Sequence, residues 1–430
     1  MTETEPHPNS AGASIRPLLP LYLVVFVAFI GYAMMVTFFV PLIMDNHGFL
    51  PATASTAYRS TIVGVLLAIY PLGQFFGSPI LGAVSDRFGR KPVLLASLVL
   101  SIVSWSALAY AIEQRQLLLL AVACLIGGLG EANIAIAQSA VADVATSDQR
   151  GRLFAYTYTA SSCGYISGPL LGGIAVARFG FSMPFWAVVA LLIFTSLWVF
   201  IAFHETHPPD RNRRLDYVKT LTSLTSVFTD RPIRGLYLIN FIFYLTIFGF
   251  YRVVLMYMDD KWHMPVHQSG AYYSYISAMS LVASLFCVAP LLRRFPLKSV
   301  AVAASILAGM LIVIVVLPSN HLSLLVTAGP ATVAATITLA TCATLLSNSV
   351  AAERQGSVMG NNLALQVGAE ALGAMVGGLL AAAFVPLPLI VYGILLSIGG
   401  LMLSARRITP SPPAGQNSQD AVVVPATESA

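Results

Sequence analysis

Twelve apolar runs, each long enough to cross a bilayer, dominate this 430-residue chain. A helix needs about 20 residues to span roughly 30 Å of hydrocarbon. The runs near 20–44, 60–82, 92–112, 117–143, 153–177, 183–203, 235–258, 268–291, 299–317, 322–346, 357–384 and 386–404 meet that length or come within two residues of it. Backbone N–H and C=O groups find no water in lipid, so each run must bond to itself as a helix. With 57% hydrophobic residues, 10% charged residues and a mean hydropathy of +0.79, a water-soluble surface is excluded. The opening "MTETEPHPNSAGAS" is polar and acidic, the opposite of a cleaved signal peptide's basic start, so the first run is expected to remain as a span. The predicted class is an all-α membrane protein.

The long polar insertion, 204–234, follows the sixth run and carries many bases. It divides the chain into a tail (1–16), a six-helix unit (17–203), a linker (204–234), a second six-helix unit (235–405) and a tail (406–430) with the composition of disorder. The two units carry an internal repeat. Shifted by 205 positions, "GRLFAYTYTASSCGYISGPLLGG" lies over "GSVMGNNLALQVGAEALGAMVGG", and Gly151, Gly168, Gly172 and Gly173 fall on Gly356, Gly373, Gly377 and Gly378. Such repeats imply two pseudo-symmetric bundles. With the N-terminus inside, 18 of the 23 Lys and Arg residues fall on the inner side. This bias places both termini in the cytoplasm and explains the basic pI without any nucleic-acid partner. The four cysteines are scattered singly, with no metal-ligand spacing, and no nucleophile with a base or phosphate loop is visible, so neither an enzyme nor a metal site is expected.

One charged segment breaks the apolar pattern. "GAVSDRFGRK", following the second run, places Gly82, Asp86, Arg87, Gly89, Arg90 and Lys91 in the order Gly-x-x-x-Asp-Arg-x-Gly-Arg-Lys. Topology alone explains the bases and not the acid with two glycines. Gly82 would let helices approach, Gly89 would turn the chain, and Asp86 would meet basic groups or the positive end of a neighbouring helix. In the fifth run, "GYISGPLLGG" sets Gly164, Gly168, Gly172 and Gly173 as a small-residue face, with Pro169 removing a backbone donor.

Twelve helices, a central basic linker and the 82–91 motif together resemble the major facilitator superfamily, over essentially the whole chain from Arg16 to Arg407. The resemblance implies the major facilitator fold, with the 82–91 cluster as a cytoplasmic gate latch that holds the halves in one state. The fifth-run motif resembles the antiporter branch, the drug and metabolite exporters. The fourth run's end, "AQSAVADVATSDQRGR", is similar to that of tetracycline-type and multidrug exporters and adds Asp143 and Arg150 to the cytoplasmic cluster. Those exporters usually carry an Arg in the fourth helix, where this chain has Cys124, and acids where it has Ala28 and Ser104. Fold and antiport class survive these departures; tetracycline as cargo does not follow.

Charge inside the membrane marks the remaining candidates, because it costs several kcal/mol unless paired or facing a cavity. Glu131 and Glu370 lie near the middle of the fourth and eleventh runs and are the candidate proton or substrate carboxyls. Arg252, in the outer part of the seventh run, either snorkels to Asp259 or Asp260 or faces the cavity and holds a substrate anion. The sequence therefore points to a monomeric secondary transporter of the inner membrane, driven by the proton gradient with no bound cofactor. Its cargo would be a small organic molecule, either a drug or a metabolite such as a carboxylate siderophore, exported by alternating access. A proton-coupled uptake symporter and a non-transporting receptor are the alternatives.

Overall fold

Helices form where the apolar runs predict them: α1 (Leu19–Met44), α2 (Thr56–Phe88), α3 (Arg90–Glu113), α4 (Leu117–Val144), α5 (Gly151–Phe179), α6 (Met183–Ala202), α7 (Arg234–Trp262), α8 (Val266–Arg294), α9 (Leu297–Ile314), α10 (His321–Asn348), α11 (Arg354–Ala383) and α12 (Leu387–Ala405). The computed structural model describes residues 16–45, 47–131, 133–145, 147–206, 208–209 and 233–406, and the regular elements among them are all helical. Most of the linker, both tails and the side chain of Arg150 lie outside the described residues.

Two departures from the sequence reading matter for the site. α2 runs past its predicted end at 82 to Phe88, because a helix leaving hydrocarbon keeps its backbone bonds while its charged side chains reach water. Gly89, at φ +98°, ends it in a conformation that a side chain would strain. Asp86 and Arg87 are therefore in the last turn of α2 and Arg90 and Lys91 in the first turn of α3, correcting the expectation of a loop. The second departure is in α4, which is helical over Leu117–Gly130 and again over Asn133–Val144, with Glu131 at the break. Three glycines in the preceding four residues weaken the helix there, and the Glu131 N–H is shared between the carbonyls of Gly127 (3.0 Å) and Gly128 (3.2 Å).

The repeat glycines explain how the halves are built and joined. In lipid no hydrophobic force drives helices together, so close backbone approach through small residues supplies the contact. A methyl group at Gly168 would stand 2.6 Å from the Ile30 carbonyl oxygen of α1, and one at its repeat equivalent Gly373 would stand 2.6 Å from the Leu245 carbonyl oxygen of α7. Gly164 meets Phe26 and Phe29 in the same way, Gly172 meets Phe38, and Gly377 meets Val253. These contacts lie within a half.

The last glycine of each repeat faces the other half. Gly173 of α5 lies against the backbone of His267 in α8, and Gly378 of α11 lies against Gly64 in α2. Gly270 of α8 packs on the Pro169 carbonyl, and Ser274 Oγ donates to the Ile166 carbonyl at 2.7 Å. Apart from Ile166 near the middle of α5, these residues lie toward the end of the bundle opposite the described termini, where they seal the two halves together. At the terminal end Gly82, Gly151, Gly356 and Gly360 have nothing within 4 Å of where a Cβ would be. Gly82 thus makes no close helix contact in this conformation, contrary to the expectation from its motif. Among the described residues, close glycine contacts between the halves occur at one end and not at the other.

Gly168→Val and Gly378→Val should separate these two roles. Overpacking at Gly168 should cost about 1–3 kcal/mol of fold stability. Gly378→Val should instead prop open the sealed end, making a cysteine placed at Ser60 reactive to a water-soluble maleimide that does not reach it in the parent.

Candidate functional site

Two connected cavities lie between the halves, on the terminal side of the seal. The first, about 590 Å³, runs between α2, α4 and α11 and contains Glu131, Gln74, Gln138 and Asn361. The second, about 450 Å³, runs between α5, α7, α8 and α10 and contains Tyr251, Arg252 and a set of serines. Phe29, Tyr32, Tyr165, Phe248, Gln366 and Glu370 line both and form a largely aromatic waist.

The break in α4 turns Glu131 into the first cavity. The residue is 4% exposed, and its Oε2 has no hydrogen-bond partner. Tyr70 of α2 is the side chain whose hydroxyl lies beside it. A buried carboxylate with an oxygen left unpaired is costly, so this group must hold either a proton or a positively charged guest.

Glu370 is arranged differently. Arg252 Nη2 binds Glu370 Oε1, and the Tyr32 hydroxyl donates to the same oxygen. Arg252 Nη1 donates to the Leu67 carbonyl of α2 at 3.3 Å, and its guanidinium lies 5.5 Å from the Tyr32 ring centre. The arginine is 3% exposed and does not snorkel toward Asp259 or Asp260, correcting one reading of the sequence. It turns inward because a carboxylate on α11 and a carbonyl on α2 both face it, which the sequence of α7 does not reveal. Tyr32 and Leu67 belong to the first half and Arg252 and Glu370 to the second, so this cluster also ties the halves at mid-membrane. Tyr32 packs on Tyr70 with ring centres 5.5 Å apart, linking the pair to the Glu131 side.

The charged motif is a third construction, at the terminal end. Arg90 Nη1 meets Asp86 Oδ1 and Ser85 Oγ, each at 2.6 Å, and its Nε meets Asp143 Oδ2 at 3.0 Å. One guanidinium thus joins the ends of α2 and α4 to the start of α3. Arg87 stacks over Phe88 at 5.3 Å, and Lys91 Nζ lies 5.7 Å from the Phe200 ring centre. Two bases at a helix N-terminus oppose its dipole. Glu205, just past α6, offsets this by accepting from the backbone N–H of Arg90 (2.8 Å) and of Lys91 (3.0 Å). Among the described residues these partners lie in the first half and at the start of the linker.

Sequence reasoning passed over Glu205, Tyr32 and Tyr70. Glu205 sits 115 positions from the N–H it caps, and its signal is an acid placed immediately after an apolar run. The tyrosines are single hydroxyls within apolar helices, a pattern shared with ordinary packing residues.

A family model described as Major Facilitator Superfamily matches residues 21–360 and 236–429. The chain belongs to that superfamily. Within it, the chain is 27% identical over 248 residues to a class C tetracycline resistance protein of Escherichia coli, covering 56% of this chain and 60% of that one. It is 25% identical over 381 residues to multidrug resistance protein 2 of Bacillus subtilis, covering 87% of this chain and 91% of that one. The tetracycline match thus spans less than two thirds of that relative. A D-xylose–proton symporter has the same fold, with a TM-score of 0.70 at 15% identity over 91% of this chain and 98% of that one. This major facilitator protein is therefore a multi-pass membrane transporter and not an enzyme.

Removing one member of a buried ion pair strands the other, at a cost of about 3–5 kcal/mol. Arg252→Gln alone should lower thermal stability sharply, and Arg252→Gln with Glu370→Gln should recover most of it. The comparison is made by thermal unfolding of the purified variants in one detergent.

Proposed function

We propose that this transporter exports a small organic molecule in exchange for protons, with Glu131 as the carboxyl that holds one or the other. The observation that carries the reading is the unpaired Glu131 Oε2 on a cavity open at one end and sealed at the other. A group that cannot stay charged and empty enforces exchange, because the cargo leaves when a proton replaces it and binds when the proton departs. The tetracycline and multidrug resistance relatives support efflux. The excess of Lys and Arg at the terminal end supports a cytoplasmic location for the open mouth, in a monomer of the inner membrane.

The cavity's charges also select cargo. Among the described residues that line it, the carboxyls and guanidinium are Glu131, Glu370 and Arg252, which together carry −1 when all are charged. One cation or one proton neutralises the site. An anion such as a carboxylate siderophore would bring it to −2, and Arg252 is already engaged by Glu370. The charge balance thus favours a monocation over the anionic metabolite.

Alternation requires the terminal end to close in turn, bringing Gly82 and the Arg90 cluster toward the second half. Asp86→Asn should insert normally yet lower transport roughly fivefold or more, the lower end of a conformational coupling of about 1–3 kcal/mol. In everted vesicles with an acid interior, the parent should accumulate ethidium as protons leave. Glu131→Gln should abolish this uptake and Glu131→Asp should keep part of it. Uptake unchanged in Glu131→Gln, or ethidium leaving together with protons, would overturn exchange at this residue.

A further inference from the structure

The cavity has a second pole that proton exchange does not use. Arg252 Nε is buried with no hydrogen-bond partner, Tyr251 Oη is buried with Thr336 beside it and no bond formed, and both residues line the compartment between α5, α7, α8 and α10. The other nitrogens of Arg252 are held by Glu370, Tyr32 and the Leu67 carbonyl, so the free N–H is fixed in direction by three partners. A buried donor without an acceptor is destabilising, and a guest that supplies an acceptor recovers that cost. Glu131, the pole for positive charge, lies in the other compartment, and the aromatic waist separates the two.

We infer that the Arg252 compartment is a second substrate subsite, which takes an uncharged hydrogen-bond acceptor, a ketone or ester oxygen, at the far end of a planar aromatic cation. The cation sits on Glu131, the ring system lies in the waist formed by Phe29, Tyr32, Tyr165 and Phe248, and the acceptor oxygen reaches Arg252 Nε and the Tyr251 hydroxyl. The acceptor is neutral because Glu370 already balances the arginine. With the cation on Glu131, a carboxylate at this pole would leave the loaded cavity at −1, whereas a neutral acceptor leaves it at zero. This inference rests on the proposed role of Glu131 for the position of the cation, and on the two unpaired donors for everything else. It distinguishes this site from a general pocket for apolar cations, in which an added oxygen would bring only its desolvation cost.

The test uses the full chain in lipid nanodiscs and two N-methylacridinium dyes of matched size, one bearing a methyl ketone at the ring edge and the other an isopropenyl group in its place. Fluorescence anisotropy should show the ketone dye binding about tenfold more tightly, as expected for a hydrogen bond from a charged donor. The double variant R252Q/E370Q removes the guanidinium and leaves the cavity's charge at −1, so the ratio of the two dye affinities should fall to one, whatever change both affinities share. Y251F, which keeps all three charges, should lose part of the preference and serves as the deciding variant if the double variant misfolds. Equal affinities in the parent, absence of binding by both dyes, a full ketone preference in the double variant, or a full preference in Y251F would each overturn the subsite. E131Q should weaken both dyes together. If the dyes keep their parental affinities in E131Q while the ketone preference remains, the exchange reading fails and the subsite stands.

Discussion

An unpaired charge in hydrocarbon is costly, and the way this protein meets that constraint at three mid-membrane residues organises the rest of its structure. Arg252 and Glu370 neutralise each other, with Tyr32 and the Leu67 carbonyl completing the shell. Their contacts cross from one six-helix half to the other, so a requirement of electrostatics also fixes the relative position of the halves. Glu131 receives no such partner. Its helix breaks at this residue, after three glycines, and the buried carboxyl lies in the wall of the first cavity. One site is charge-balanced by the protein and the other depends on whatever enters.

The terminal cluster follows the same logic with water nearby. Arg90 is nearly as buried as Arg252, yet it holds two acids, and its own helix start is covered by Glu205 from the beginning of the linker. Three helices of the first half and the first residues of the linker are thereby gathered on one guanidinium. Among the described residues the cluster's partners lie in the first half and at the start of the linker, so closure would bring the second half up to this cluster. Gly82, without neighbours here, lies on the face of α2 available for that approach.

Most of the architecture was legible in the sequence, because bilayer thickness and backbone satisfaction leave few solutions for a chain this apolar. The twelve spans, the repeat offset and the two mid-membrane acids could each be read locally, from run length, glycine register and a carboxylate in an apolar stretch. What could not be read was pairing at a distance. The inward turn of Arg252 depends on Glu370, 118 positions away, and the cap on α3 comes from 115 positions away. The end of α2 was misplaced for a different reason: hydropathy reports where lipid stops, whereas Gly89 decides where the helix stops.

The repeated glycines have a consequence for symmetry. Gly64 meets Gly378, while Gly270 meets Pro169 and Gly173, so each half contributes one α2-type face and one α5-type face to the seal. A single six-helix unit of this kind already carries both complementary surfaces. Two identical copies set antiparallel in contact order, face to face about an axis along the membrane normal, would close the same seal twice. The joined chain keeps this pseudo-symmetry at the seal and departs from it in charge: the first half carries the Arg90 cluster and Glu131, and the second carries Arg252 and Glu370.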